Sequence, residues 1–263
     1  MISSPVEYFA GLDIWVKRED LYSWHGAQGG KARALGSILR WLAKPAGFVT
    51  CGSRFSLQAL VVAQVAHTLQ IPSFVHCPTG KLGPEIEQAR DLFGAEITQH
   101  QYGYSSVLRA RAIEDADRRG FLYIPSGLKH SAAVGGIAEE VSNTLRFMKT
   151  LPKRIVVPVG SGVQLAGISW GRGRHRIPIV GVKVGGDPSR VLRDYSYGAG
   201  AGVEIVQAPG KYEIPAPAGL VGALPGMSLD PYYEAKCVPF LRPGDLFWVV
   251  GCRKNNPTKP LPE

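Results

Sequence analysis

A chain of 263 residues that is 45% hydrophobic and 19% charged has room for one large or two modest domains with real cores, which excludes a disordered or low-complexity protein. The net charge of +9 comes with basic groups at Arg109/Arg111, Arg118/Arg119, Lys149/Lys153/Arg154, Arg172/Arg174/His175/Arg176 and Arg253/Lys254/Lys259. These would attract polyanions if they shared a face and are otherwise a solvated surface; no zinc finger, RNP motif or aromatic-interleaved stripe accompanies them.

The N-terminal stretch Met1 to Tyr8 lacks the basic patch and apolar run of a signal peptide, and no run of about 18 apolar residues occurs, so a soluble, cytoplasmic protein with no membrane segment is expected. Short apolar β-rich runs then alternate with helical patterns. Strands are predicted at 48–51, 73–76, 95–98, 121–124, 155–159, 179–183 and 246–250, and helices at 31–42, 56–69, 83–93, 104–119, 134–150 and 163–170. The first helix carries Ala34, Leu35, Ile38, Leu39 and Leu42 on one stripe. Such alternation is that of parallel βαβ units, an α/β fold with open parallel sheets flanked by helices. Cys51, Cys77, Cys237 and Cys252 show neither CxxC nor Cys/His ligand spacing, so they are expected as buried free thiols, with no disulfide framework and no metal.

Four segments, and a short stretch at Tyr212, carry chemistry. Lys31 follows Gly29 and Gly30 at a helix start, where the positive end of the helix dipole disfavours the ammonium form; read alone, it is a solvated helix-start residue. Ile155 to Gly167 reads as a strand, a Gly-rich turn and a helix start whose N–H groups converge on an anion; read alone, it is a tight turn. In Asp230-Pro231-Tyr232-Tyr233-Glu234-Ala235-Lys236, Glu234 is either a helix-start cap or a carboxylate for a buried partner. Tyr233, and Tyr212 in Tyr212-Glu213-Ile214-Pro215, are either core aromatics or phenols able to act as acid, base or nucleophile. The fourth segment is Cys51 to Gln58, a strand end running into a helix.

The run Lys17-Arg18-Glu19-Asp20, the Gly-rich loop ending in Lys31-Ala32-Arg33-Ala34-Leu35, and the 230–236 segment together resemble pyridoxal-phosphate (PLP) enzymes of the tryptophan-synthase-β-like (fold type II) group. Within it they resemble the branch of 1-aminocyclopropane-1-carboxylate (ACC) deaminase and D-cysteine desulfhydrase. The resemblance implies a large PLP-binding domain, 1–43 with 131–263, and an inserted small α/β domain, 44–130. It implies pyridoxal 5'-phosphate as cofactor, Lys31 as the Schiff-base lysine, and Gly160, Ser161, Gly162, Val163 and Gln164 around the phosphate. Glu234 would face the pyridine nitrogen, as in ACC deaminases, keeping the ring protonated. Tyr212 and Tyr233 match the two active-site tyrosines of that branch, and Ser56, Leu57 and Gln58 stand in the segment that meets the substrate, Ser56 in proton transfer. The pattern departs at Gly30 and Leu57, where the family has asparagine, at Val163 and Gln164, for a glycine and a threonine, and at Ala34, for a second lysine, so ACC itself is not the expected substrate.

The implied activity is that of a PLP-dependent lyase or deaminase acting on a small amino acid or amino-acid-like amine, with homodimers as in many relatives. The basic surface and the altered 51–58 loop leave a second reading, a decarboxylase or lyase acting on an amino acid attached to nucleic acid, as in DNA base hypermodification. A third is a non-catalytic PLP-binding protein.

Overall fold

The computed structural model describes residues 3–101, 104–195 and 201–251. In chain order the strands are β1 (Val6–Phe9), β2 (Ile14–Arg18), β3 (Ser23–Trp24), β4 (Ala27–Gln28), β5 (Phe48–Cys51), β6 (Ser73–Pro78), β7 (Glu96–His100), β8 (Leu122–Ile124), β9 (Arg154–Val159), β10 (Ile179–Lys183), β11 (Val203–Gln207) and β12 (Asp245–Val249). The helices are α1 (Gly30–Leu39), α2 (Leu57–Thr68), α3 (Pro84–Asp91), α4 (Ser105–Arg119), α5 (Ser131–Phe147), α6 (Val163–Gly171), α7 (Ser189–Tyr195) and α8 (Ala218–Val221). The described residues form two compact units, 3–22 with 131–251, and Ser23–His130. Residues 23–43, expected with the larger part, group with the second unit, because α1 packs on β3, β4, α2 and the turn Ser126–Leu128.

The first unit is built on a six-stranded sheet in the order β1-β2-β12-β9-β10-β11, parallel except where β1 runs antiparallel to β2. Parallel strands covered on both faces need continuous apolar runs, and β9, β10 and β12 supply them. One layer of core joins Ile14, Val156, Val180, Val182 and Phe247 to Leu224, Leu229, Ala235 and Cys237. Helices α5 and α6 pack against each other, and Gly167 and Gly171 allow the approach: a Cβ at either would overlap Ile137 or the Ala138 backbone. The path β9–α6–β10–α7–β11 moves outward in one direction, and β12 then returns to the other side of β9. The carboxyl ends of β9 and β12 therefore flank a topological switch point, where open parallel sheets bind ligands.

The second unit repeats the logic with four parallel strands, β7-β6-β5-β8. Here β5–α2–β6–α3–β7 moves one way, and α4 carries the chain back to β8 beside β5, so its switch point lies between the ends of β5 and β8. Ala59, Leu60, Ala63, Val75, Ile86 and Ala89 form one core layer, and Val49, Phe74, Leu108, Ala112 and Ala116 the other. Cys51, Cys77 and Cys237 are buried and free, as expected, while Cys252 lies outside the described residues. Among the described residues no helix is long and apolar enough to cross a membrane.

Candidate active site

In the first unit the Gly160–Gly162 turn leaves the end of β9 and enters α6, at the switch point. Gly162 has φ +90° and ψ −9°, a left-handed conformation that admits no ordinary side chain, and a Cβ there would stand 2.9 Å from Pro188 Cβ. The carbonyl of Val159 accepts the N–H groups of Val184 at 3.0 Å and Gly185 at 3.2 Å, which fixes the turn to the end of β10. The first N–H groups of α6, beginning at Val163, have no acceptor inside the helix and present positive charge to an anion. Ser161 is half-buried beside them, and the side-chain amide oxygen of Gln164, Oε1, is buried without a hydrogen-bond partner among the described residues.

Glu234 stands at the other side of the same switch point and is fully buried. Its Oε1 accepts the N–H groups of Val250 and Gly251, both at 3.1 Å, just past β12; its Oε2 is buried with no partner among the described residues. Burial, and then the nearby Asp230 charge, push the carboxyl well above the ordinary range, while the two N–H bonds pull only partly against them. A carboxyl with one oxygen held and one unsatisfied is shaped to meet a donor that the described residues do not supply. The capping role considered for Glu234 belongs to Asp230, whose Oδ1 accepts the N–H groups of Tyr232 at 2.7 Å and Tyr233 at 3.1 Å.

The two tyrosines meet. Tyr212 and Tyr233 hydroxyls lie 3.1 Å apart, with rings edge-on at 5.8 Å. The phenol of Tyr233 rests on the turn: a Cβ at Gly160 would be 3.0 Å from its Cε1 and 3.2 Å from its hydroxyl. Lys236, buried, donates to the Lys211 carbonyl at 2.7 Å and the Tyr212 carbonyl at 3.5 Å, and so holds the segment that carries Tyr212. Burial lowers its pKa. The Gly160 turn, Glu234, Tyr233 and Tyr212 thus form one cluster within this unit.

The second unit holds the others. Lys31, half-buried, is the second residue of α1, entered through Gly29 at φ +87°. The preceding two-residue hairpin turn uses left-handed His25 and Gly26, at φ 46° and 75°, and Trp24 packs on Gly36 of α1. Ser56 precedes the first residue of α2, and its hydroxyl reaches over Gly52, where a Cβ would lie 2.8 Å from Oγ. Gln58 spans the switch point: its Nε2 donates to Thr50 Oγ1 at 2.9 Å and to the Pro125 carbonyl at 3.0 Å, and its Oε1 accepts the Gly127 N–H at 2.7 Å. The turn Ser126–Leu128 packs on both α1 and α2, so the starts of these helices, with Lys31 and Ser56, are set by one turn. Leu57 packs on the core around Leu60 and Ile86.

Lys17-Arg18-Glu19-Asp20 has a structural use. Lys17, fully buried, binds Glu140 and the Ser4 carbonyl, Glu19 accepts from Ser4, and Arg18 grips Asp20 through Nε at 2.9 Å and NH2 at 2.8 Å. The backbone donors of Val250 and Gly251 and the anchoring of Tyr212 by Lys236 were not foreseen; Lys236 was visible only as a lysine closing the 230–236 segment.

A family described as pyridoxal-phosphate dependent enzyme matches residues 3–214. No curated protein sequence matches the chain. Among solved structures, an ACC deaminase homologue superposes with a TM-score of 0.78 at 24% identity, covering 95% of this chain and 90% of the other. A threonine deaminase isoform from Solanum lycopersicum gives 0.66 at 16%, covering 96% and 80%. A serine racemase from Dictyostelium discoideum gives 0.68 at 12%, covering 95% and 92%. At these identities the likenesses establish the fold.

Proposed function

Because this chain belongs to the pyridoxal-phosphate-dependent enzymes, we propose that it is a lyase or deaminase releasing ammonia from a small amino acid or amino-acid-like amine. Glu234 carries the reading. Its unsatisfied, buried Oε2 fits a protonated ring nitrogen, and the Gly160–Gln164 turn fits a phosphate, so the residues present suit pyridoxal phosphate at both ends. When bound, the cofactor supplies an electron sink for the charge left on a substrate carbon, deepest when its ring stays protonated.

The protein's own groups do the rest. Glu234 would hold the cofactor's ring nitrogen in its protonated form; Val250 and Gly251 fix the carboxyl group's orientation. The N–H groups at the start of α6 hold the phosphate dianion without a charged side chain in the turn. Lys31, at the start of α1, would supply the amine that holds the cofactor's aldehyde and could then carry protons. Tyr233 donates or accepts a proton through its hydroxyl, and Tyr212, 3.1 Å away, steadies either charge state. The start of α2, with Ser56 at its entrance, meets the substrate carboxylate, and Gln58 shapes that entrance from behind. By the habit of relatives, the working form is a homodimer.

The test is a panel of small amino acids and amines given to PLP-loaded protein, with ammonia and keto product both measured. At least one β-substituted or strained substrate yields the two in equal amounts, and Tyr233→Phe slows this by about a hundredfold or more. Racemisation without ammonia, or no turnover by cofactor-loaded protein, would contradict the reading.

A further inference from the structure

On elements that carry none of the candidate active-site residues, β6, β7 and α4 line a cavity of about 360 Å³. It exists because β7 is an edge strand and α4 covers β5 and β6, so the α4 side of β7 stays open at Thr98 and His100. Its wall is a chain of four polar groups. Arg111 NH1 lies 2.7 Å from His100 Nδ1, His100 Nε2 lies 2.9 Å from His76 Nδ1, and His76 Nε2 lies 3.2 Å from Asp115 Oδ2. One proton arrangement satisfies every link: arginine donates to His100, His100 to His76, and His76 to the carboxylate, with both imidazoles neutral.

Charge in this wall is unbalanced. Asp115, buried, is already shared by Arg118 and by Arg119, whose Nε lies 3.0 Å from both oxygens while its guanidinium covers Phe74 at 3.7 Å. Burial would raise the Asp115 pKa, but Arg119, His76 and Arg118 hold it below the ordinary value. With Glu114 on the rim, three guanidinium groups face two carboxylates, a surplus of one positive charge. Two of the basic groups seen in the sequence therefore meet in one concave site.

We infer that this cavity binds a phosphate group, with Arg111, Arg118 and Arg119 as its donors and His100 as the residue that takes up a proton when the anion enters. Planar guanidinium forks match phosphate oxygens. A dianion exceeds the single surplus charge, and a proton on His100 Nδ1 restores balance. That nitrogen then changes from acceptor to donor, releases Arg111, and both point donors at the anion. Burial first, then His76 and Arg111, lowers the His100 pKa, which favours the neutral ring that accepts from Arg111. The volume leaves room for whatever the phosphate is attached to, so a free phosphomonoester and the terminal phosphate of a nucleic-acid strand share the same chemistry here.

The experiment follows the His76 and His100 ring signals by NMR in PLP-loaded protein, with sulfate as an anion that does not itself titrate, then inorganic phosphate, a mononucleotide and a short single-stranded oligonucleotide with a 5'-terminal phosphate. Sulfate and phosphate shift the His100 signal and raise its pKa, and affinity falls by up to about tenfold per pH unit as pH rises through that range. Arg111→Gln abolishes both effects while leaving the cofactor absorption unchanged. Equal affinity for phosphate, mononucleotide and oligonucleotide supports a phosphomonoester; an Arg111-dependent, steeply salt-sensitive preference for the oligonucleotide supports a strand. No shift with any anion, or a shift that survives Arg111→Gln and Arg118→Gln alike, overturns the inference. Should Arg111→Gln fail to fold, His100→Asn decides: pH dependence of sulfate binding that persists in it overturns the inference as well.

Discussion

Replacing Glu234 by glutamine keeps the side chain's shape and the oxygen that Val250 and Gly251 reach at 3.1 Å, and removes the titrating proton. In cofactor-free protein, burial and Asp230 hold the Glu234 carboxyl well above the ordinary carboxyl value of 4.5, so the folded state keeps a proton that the unfolded chain gives up above that pH. Stability that is whole below this point is therefore lost as pH rises, by about 1.4 kcal/mol per pH unit for one proton, until the folded group ionises. As pH rises above the ordinary carboxyl value the wild type should therefore lose stability that Glu234→Gln keeps. Urea unfolding of both cofactor-free proteins at several pH values, with equal m-values required, measures the difference. Saturating cofactor supplies the missing partner and should flatten the wild-type curve. Parallel curves for the two cofactor-free proteins would refute the reasoning.

Lys17→Met strands the buried Glu140 charge and should cost about 3–5 kcal/mol in denaturant unfolding, with most of it regained in Lys17→Met/Glu140→Leu. Gln58→Ala leaves the Gly127 N–H without its acceptor and should cost about 1–3 kcal/mol; unchanged stability with only a raised KM would instead make Gln58 a substrate ligand. Gly162→Ala forces a side chain into φ +90° beside Pro188 and should cost about 1–2 kcal/mol while weakening cofactor retention, measured by dialysis and absorbance.

Strands whose residues are apolar on both faces were legible: 48–51 and 179–183 are strands over the same residues in the fold. Strand β2 was missed because Lys17 and Arg18 break its apolar pattern, and only the fold reveals that Glu140, more than a hundred residues on, neutralises Lys17. Strand β11 was missed because, at the sheet edge, Glu204 and Ile205 are exposed. Helix α1 read as a one-sided stripe through Leu42, yet it ends at Leu39, and even Arg33 is buried. At the site, the sequence indicated which residues cluster in the first unit but not why. Both switch points come from strand order, which no local pattern encodes, and Glu234 is held by backbone N–H groups that have no signature in residue type. Leu57 also packs on the core of the second unit, and Gln58 also bonds Thr50 and the Pro125 carbonyl, contacts that no residue pattern announces.

The decisive measurement is borohydride reduction of the PLP-loaded protein followed by mass analysis of its tryptic peptides. A pyridoxyl group on Lys31, absent from Lys31→Ala, is the expected result; a pyridoxyl group on another lysine, or none after loading with cofactor, would contradict the assignment of this site.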